Sequence, residues 1–268
     1  MDTLRQQWQY RQLFGGILAL YSVLNLLLVR GVSSSHNLAS VKASLDAATH
    51  GLGDKIGNSV TSFGYLLTTS GGNNVANSGV YQSILLVVCS LAFIWALRQS
   101  VAKQKARVRD SFYSGMYPLV PFLLVFFLAS LQLVPMGIGT SLYNLGVTGG
   151  IAVHAWEKAG FIAVAFGLTI WSLRMLTASI FAMYIVTLPD MTPLRAYYSA
   201  RLLVYGRRLL LWRKILFLVV AMLLLAAVIE VPIILFLTPL APWVLFGLSM
   251  VALPIVHGYF YNLYRGMI

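Results

Sequence analysis

Long uninterrupted apolar runs dominate this chain of 268 residues, in place of the alternation of strands or the one-sided stripe of surface helices. Six runs are candidates to cross a bilayer. The shortest is "LFGGILALYSVLNLLLV" (13–29), and the others cover about 81–97, 118–143, 161–188, 215–237 and 242–264. At about 1.5 Å of rise per residue each can cover a hydrocarbon core of about 30 Å, the first two with help from flanking residues. The predicted fold is therefore all-α: a polytopic integral membrane bundle of about six transmembrane helices, forming a single membrane domain over 1–268. Run 13–29 also has the look of a secretory apolar region, with Arg5 and Arg11 ahead of it. "VRGVSSSH" after it offers no small-x-small cleavage site, so it reads as a retained helix.

The intervening segments carry their own periodicities. In 31–80, an external loop in this layout, Leu38, Val41, Leu45, Leu52, Ile56, Val60 and Phe63 recur at three, four or seven residues. That spacing predicts one or two short amphipathic helices on the membrane surface, interrupted by Gly51, Gly53 and Gly57. Another segment, "PDMTPLRAYYSARLLVYGRRLLLWRK" (189–214), opens with a proline break at Pro189. Thr192 and Pro193 follow as an N-cap and a first-turn proline. Leu194, Tyr198, Leu202, Tyr205, Leu209 and Trp212 mark one helical face and Arg201 and Arg208 another, which predicts a basic interfacial helix over 193–213. A similar basic, partly aromatic connector occupies 98–116. "TPLAP" between the last two runs predicts a tight hairpin stopped by Pro239 and Pro242.

Composition sharpens this layout. Hydrophobic residues make up 59 % of the chain and charged ones 10 %, too little polar surface for a soluble domain. A net charge of +12 would suggest nucleic acid in a soluble protein. Here the basic residues stand in short segments beside apolar runs, so no nucleic-acid partner is expected. With both termini cytoplasmic, 14 of the 19 Lys and Arg residues fall on the inner side, four outside, and Arg174 within a span. The positive-inside rule thus places the connectors 98–116 and 189–214 in the cytoplasm, with the spans in the cell (cytoplasmic) membrane. Anionic headgroups are the expected contacts of Arg107, Arg109, Arg201, Arg207, Arg208 and Arg213, each worth about 1 kcal/mol near such a surface. A protein partner or a second copy of the chain is the other expected contact. Topology alone would account for the same charges.

"MYIVTLPDMTPLRAYYSARLLVYGRRLLLWRKILFL", with "VRDSFYSGMYPLVPFLLV" before it and "TPLAPWVLFGLSMVALPIVHGYFYNLYR" after it, resembles a family of uncharacterised multipass membrane proteins from candidate-phylum bacteria. More distantly, its Pro break, Arg-bearing helix and Gly-Arg-Arg before a span are similar to the membrane domain found with glycerophosphodiester phosphodiesterases. The resemblance covers about 100–268 and implies a membrane module. The catalytic barrel of those phosphodiesterases, with its acidic metal ligands, has no counterpart here.

Candidate chemistry is sparse. Charge inside a span is costly and usually partnered or wet. Arg174 and Glu230 lie about 20 Å and 11 Å from the outer ends of their spans by helical rise, and an ion pair between them is feasible. They would form either a buried staple or part of a polar pathway for a transported solute or lipid. His257 could bond a backbone carbonyl or line a cavity. Gln132, Asn144 and Asn262 are expected in interhelical hydrogen bonds. His154 and Glu157 have a spacing that permits shared metal ligation but lack a third ligand. Cys89 reads as a small buried hydrophobe. No phosphate loop, Ser-His-Asp pattern, HExxH or paired carboxylates occur, so no catalytic residue, metal or cofactor is expected. Pro118, Pro121, Pro135, Gly137 and Gly139 predict kinks or breaks at both ends of the third run.

Overall fold

The structure is a computed structural model that describes residues 10–27, 58–64, 76–104 and 106–267. Among these, every regular element is helical, so the all-α class holds. In chain order the helices are α1 (Arg11–Asn25), α2 (Ala76–Val101), α3 (Val108–Gly115), α4 (Leu119–Gln132) and α5 (Val134–Tyr143). They continue as α6 (Ala155–Ile185), α7 (Pro193–Val204), α8 (Arg208–Phe236) and α9 (Ala241–Arg265). Five described stretches are long and apolar enough to cross a bilayer: Val80–Val101, Leu119–Thr148, Ala155–Ile185, Arg208–Phe236 and Thr238–Arg265. The chain is a multi-pass membrane protein. The first expected span is represented by α1; residues 28 and 29 lie outside the described residues.

The chain divides into two compact units. One takes Met1–Met116 with Ile215–Tyr259, the other Tyr117–Lys214 with Phe260–Ile268. In the first unit α2 packs on α1 and α3. Tyr21, Leu85, Cys89 and Met250 form a buried apolar cluster, so Cys89 serves as a core hydrophobe. The segment 58–64 is helical, and Phe63 shares a second cluster with Ile234, Ala241 and Leu245. The other helices expected within 31–57 lie outside the described residues.

The second unit is built around α6, against which α4, α5 and α7 all pack. The third run does not break only at its ends. The α-helix stops at Gln132 and restarts at Val134, with Pro135 in the first turn of α5. A proline nitrogen has no hydrogen to donate, so the preceding turn loses a backbone bond there. Beyond α5, residues 144–148 form a π-helical turn. At Gly139, a Cβ would lie 3.1 Å from the Ala165 carbonyl oxygen; only glycine lets α5 approach α6 this closely.

Both basic connectors differ from the single interfacial helices expected. In the first, α2 runs on to Val101. A turn at Lys103 (φ 54°) follows, and only Val108–Gly115 is helical again. In the second, α7 starts at Pro193 behind Thr192 as predicted, but it ends at Val204 instead of continuing to 213. Gly206, at φ 78°, turns the chain, and α8 begins at Arg208 as one continuous helix into the fifth span. The left-handed conformation costs a non-glycine residue roughly 1–2 kcal/mol, which explains why the helix changes direction here.

Candidate functional site

The face of α7 that packs on protein is its narrow one. Ala196, Ala200 and Val204 are buried at helical spacing, and their small side chains let α7 lie close to α6. Leu194, Tyr198, Leu202, Tyr205 and Leu209 stay exposed, presenting an apolar, aromatic surface. Arg201 stands between those two faces.

Arg174 of α6, Arg201 of α7 and Arg208 at the start of α8 line one groove of about 760 Å³, together with Tyr198, Leu202 and Tyr205. The same three arginines line an adjoining cavity of about 300 Å³, whose other walls include Trp171, Met175, Ala178 and Tyr197. Arg207 adds a fourth guanidinium to the larger space. Among the described residues, no carboxylate lines either cavity.

Each arginine-bearing helix is fixed by a polar contact that the apolar surroundings make specific. Ser172 Oγ donates to the backbone carbonyl of Gln132, beside the break between α4 and α5. Ser179 Oγ donates to Gln132 Oε1 at 2.7 Å. The Gln132 side-chain nitrogen in turn donates to the Tyr197 hydroxyl at 3.4 Å, a long and weak bond. These bonds hold α6 and α7 to one buried side chain. Trp212 Nε1 donates to Thr177 Oγ1 at 2.8 Å, and that hydroxyl donates to the Leu173 carbonyl. The start of α8 is thereby tied to the turn of α6 that carries Arg174. Of the polar residues expected to bond between helices, Gln132 does so as the hub.

The position of Arg174 follows from length. α6 has 31 residues, about 46 Å, against about 30 Å of hydrocarbon. Setting charged Lys158 at one boundary puts the other about 20 residues on, near Ala178. Arg174 then lies about 6 Å inside that boundary, within the reach of a snorkelling arginine. Arg201 and Arg208 share the groove with it.

The remaining expected residues lie elsewhere. Arg107 and Arg109 are exposed on and before α3 in the first unit, and Arg213 is exposed on α8 without lining the groove. Glu230 and His257 belong to the first unit, whereas Arg174 belongs to the second. Glu230 is fully buried, and neither carboxylate oxygen has a hydrogen-bond partner among the described residues. His257 Nε2 is 3.0 Å from Ser90 Oγ, and its ring stacks on Phe93. Glu157 accepts hydrogen bonds from the Val153 and His154 backbone and caps α6, the second role open to an acid at that position.

Sequence reasoning named all three groove arginines but assigned them to two different roles. It missed Tyr197 and Trp171, and it placed Trp212 on a helical face without foreseeing its bond to α6. Their one visible signal was aromatic spacing near Arg residues, which a membrane interface explains equally well. No family model matches the chain, and neither a curated protein nor a solved structure does.

Proposed function

We propose that the protein is a non-catalytic multipass membrane module that holds the acidic headgroup of a membrane lipid against Arg174, Arg201 and Arg208. The observation that carries this reading is the convergence of three arginines, from three helices, on one groove with no carboxylate among the described residues of its walls. Uncompensated guanidinium groups at the edge of the hydrocarbon repel one another and draw an anion, and the guanidinium fork matches phosphate geometry. The exposed Leu and Tyr face of α7 supports a lipid occupant, since that face suits acyl chains and headgroup depth. In this proposal the connectors 98–116 and 189–214 face the cytoplasm of a bacterial cell, as their charge favours.

Native mass spectrometry of the full chain, purified with mixed phospholipids, tests the reading. Anionic phospholipid is expected to be retained over phosphatidylcholine, and the triple change of Arg174, Arg201 and Arg208 to Gln to abolish that preference. Equal retention of anionic and zwitterionic lipid by the unchanged chain refutes it.

The partnerless carboxyl of Glu230 favours a second reading, a transporter of a small solute or lipid that uses both Arg174 and Glu230. Lipid translocation in proteoliposomes that is lost in Arg174→Gln and in Glu230→Gln alike supports transport. Binding without translocation leaves the first reading alone.

A further inference from the structure

We infer that the groove selects lipids ending in a phosphomonoester or diphosphate over lipids with a single phosphodiester. The inference rests on the lipid-binding reading and names the headgroup class. Charge is the first argument. Three arginines line both cavities and a fourth lines the larger, with no acid among the described residues of either wall. A phosphodiester carries one negative charge and leaves most of that field uncompensated. A phosphomonoester carries about −1.5 to −2 at pH 7, and a diphosphate carries more.

Oxygen count is the second. A phosphodiester has two terminal oxygens and a phosphomonoester three. Each guanidinium offers a fork of donors that bonds phosphate oxygens in parallel. Three forks arranged around a diester compete for two oxygens; around a monoester or a diphosphate each finds its own.

Backbone position makes the count matter. Arg174 and Arg201 are exposed and Arg208 is half-buried, so the guanidinium groups themselves can move. What the fold fixes is where they start: α7 packs on α6 through Ala196, Ala200 and Val204, and α8 is tied to α6 by the Trp212–Thr177 bond. Trp171, Met175 and Ala178 in the smaller cavity, with Leu202, Leu209 and Leu210 in the larger, supply apolar walls beside the cations. A hydrocarbon chain can use those walls; a free inorganic anion cannot. The occupant is therefore a lipid.

The test uses the full-length chain in detergent with equimolar phosphatidic acid and phosphatidylglycerol, read by native mass spectrometry. Phosphatidic acid is expected to be retained at least about tenfold over phosphatidylglycerol, the scale of one charge-assisted pair. Arg174→Gln brings the ratio close to one. Arg174→Lys, which keeps the charge and loses the fork, retains anionic lipid but with a lower ratio, and guards against a folding defect in the first variant. Inorganic pyrophosphate added at the same concentration is expected to leave the bound phosphatidic acid in place. Equal retention of the two lipids overturns the selectivity while the lipid-binding reading stands. Retention of neither lipid above phosphatidylcholine overturns both. Displacement by pyrophosphate alone overturns the lipid and leaves a soluble phosphate as the ligand.

Discussion

Replacing Gln132 by Leu isolates the polar hub beneath the arginine groove. Gln132 is 6 % exposed, and its side chain accepts from Ser179 at 2.7 Å and donates to Tyr197 at 3.4 Å. The longer bond contributes little. Losing the shorter one costs about 0.6–1.5 kcal/mol, the range from membrane cycles to soluble proteins. Ser179 is then left buried without its acceptor, for a further cost of about 1 kcal/mol, because a helical serine can turn back to the carbonyl four residues before it. Gln132→Leu should therefore destabilise by about 2 kcal/mol. Ser179→Ala alone should cost about 1 kcal/mol, as it strands one oxygen of an amide. The double variant should cost no more than Gln132→Leu, which leaves a coupling of about 1 kcal/mol. Ser172 provides the control: its hydroxyl binds the backbone carbonyl of residue 132, which survives the substitution, so Ser172→Ala should add to Gln132→Leu. Equilibrium unfolding in mixed micelles with dodecyl sulfate measures all five variants. Additivity of Gln132→Leu with Ser179→Ala to within about 0.5 kcal/mol refutes the hub.

Glu230→Leu should raise stability by about 1–3 kcal/mol in the same unfolding measurement, because it removes a buried acid with no hydrogen-bond partner among the described residues; a loss of stability would mean the carboxyl has a stabilising partner. Gly139→Leu should destabilise by more than 2 kcal/mol, since even a Cβ meets the Ala165 backbone at 3.1 Å, and a near-neutral outcome would show that α5 does not lie so close to α6. Gly206→Ala should cost about 1 kcal/mol and reduce anionic-lipid retention; unchanged retention would separate the turn from the groove. Single cysteines at Asp190 and Arg109, in a Cys89→Ala background, should resist an impermeant maleimide applied to intact cells and react after the membrane is opened; labelling of intact cells would reverse the orientation.

The spans were legible because the hydrophobic effect writes them locally: twenty or so apolar residues in a row allow few other fates. The interruptions were less so. Gly206 sits in an apolar and basic pattern that continues to 213, and a glycine inside a helix costs only about 1 kcal/mol. Nothing local to 205–207 announces that tertiary packing demands a left-handed residue there. Pro135 was read as an end of its span and is instead an internal break, because the helix restarts at once. Arg201 and Arg208 could be placed by periodicity on one face of a helix. Arg174 is 27 residues earlier in the chain, and no periodicity links it to them. Depth estimates paired it with Glu230 on an assumed adjacency of spans, whereas the environment it occupies is set by α7 folding back onto α6.

Glycines in and after α5 also bear on how the protein is made. A Cβ at Gly139 would press on the Ala165 backbone, and one at Gly146 would overlap the ring of Phe161. The two antiparallel segments thus meet closely at both glycines, against the Ala165 backbone and the Phe161 ring, over contacts only 15 to 29 residues apart in the chain. A hairpin so close-fitted can form as soon as residue 170 or so has left the ribosome, ahead of the basic helix that later docks on it. Insertion would then proceed from a prefabricated pair of rods, and the order of synthesis would match the order of assembly.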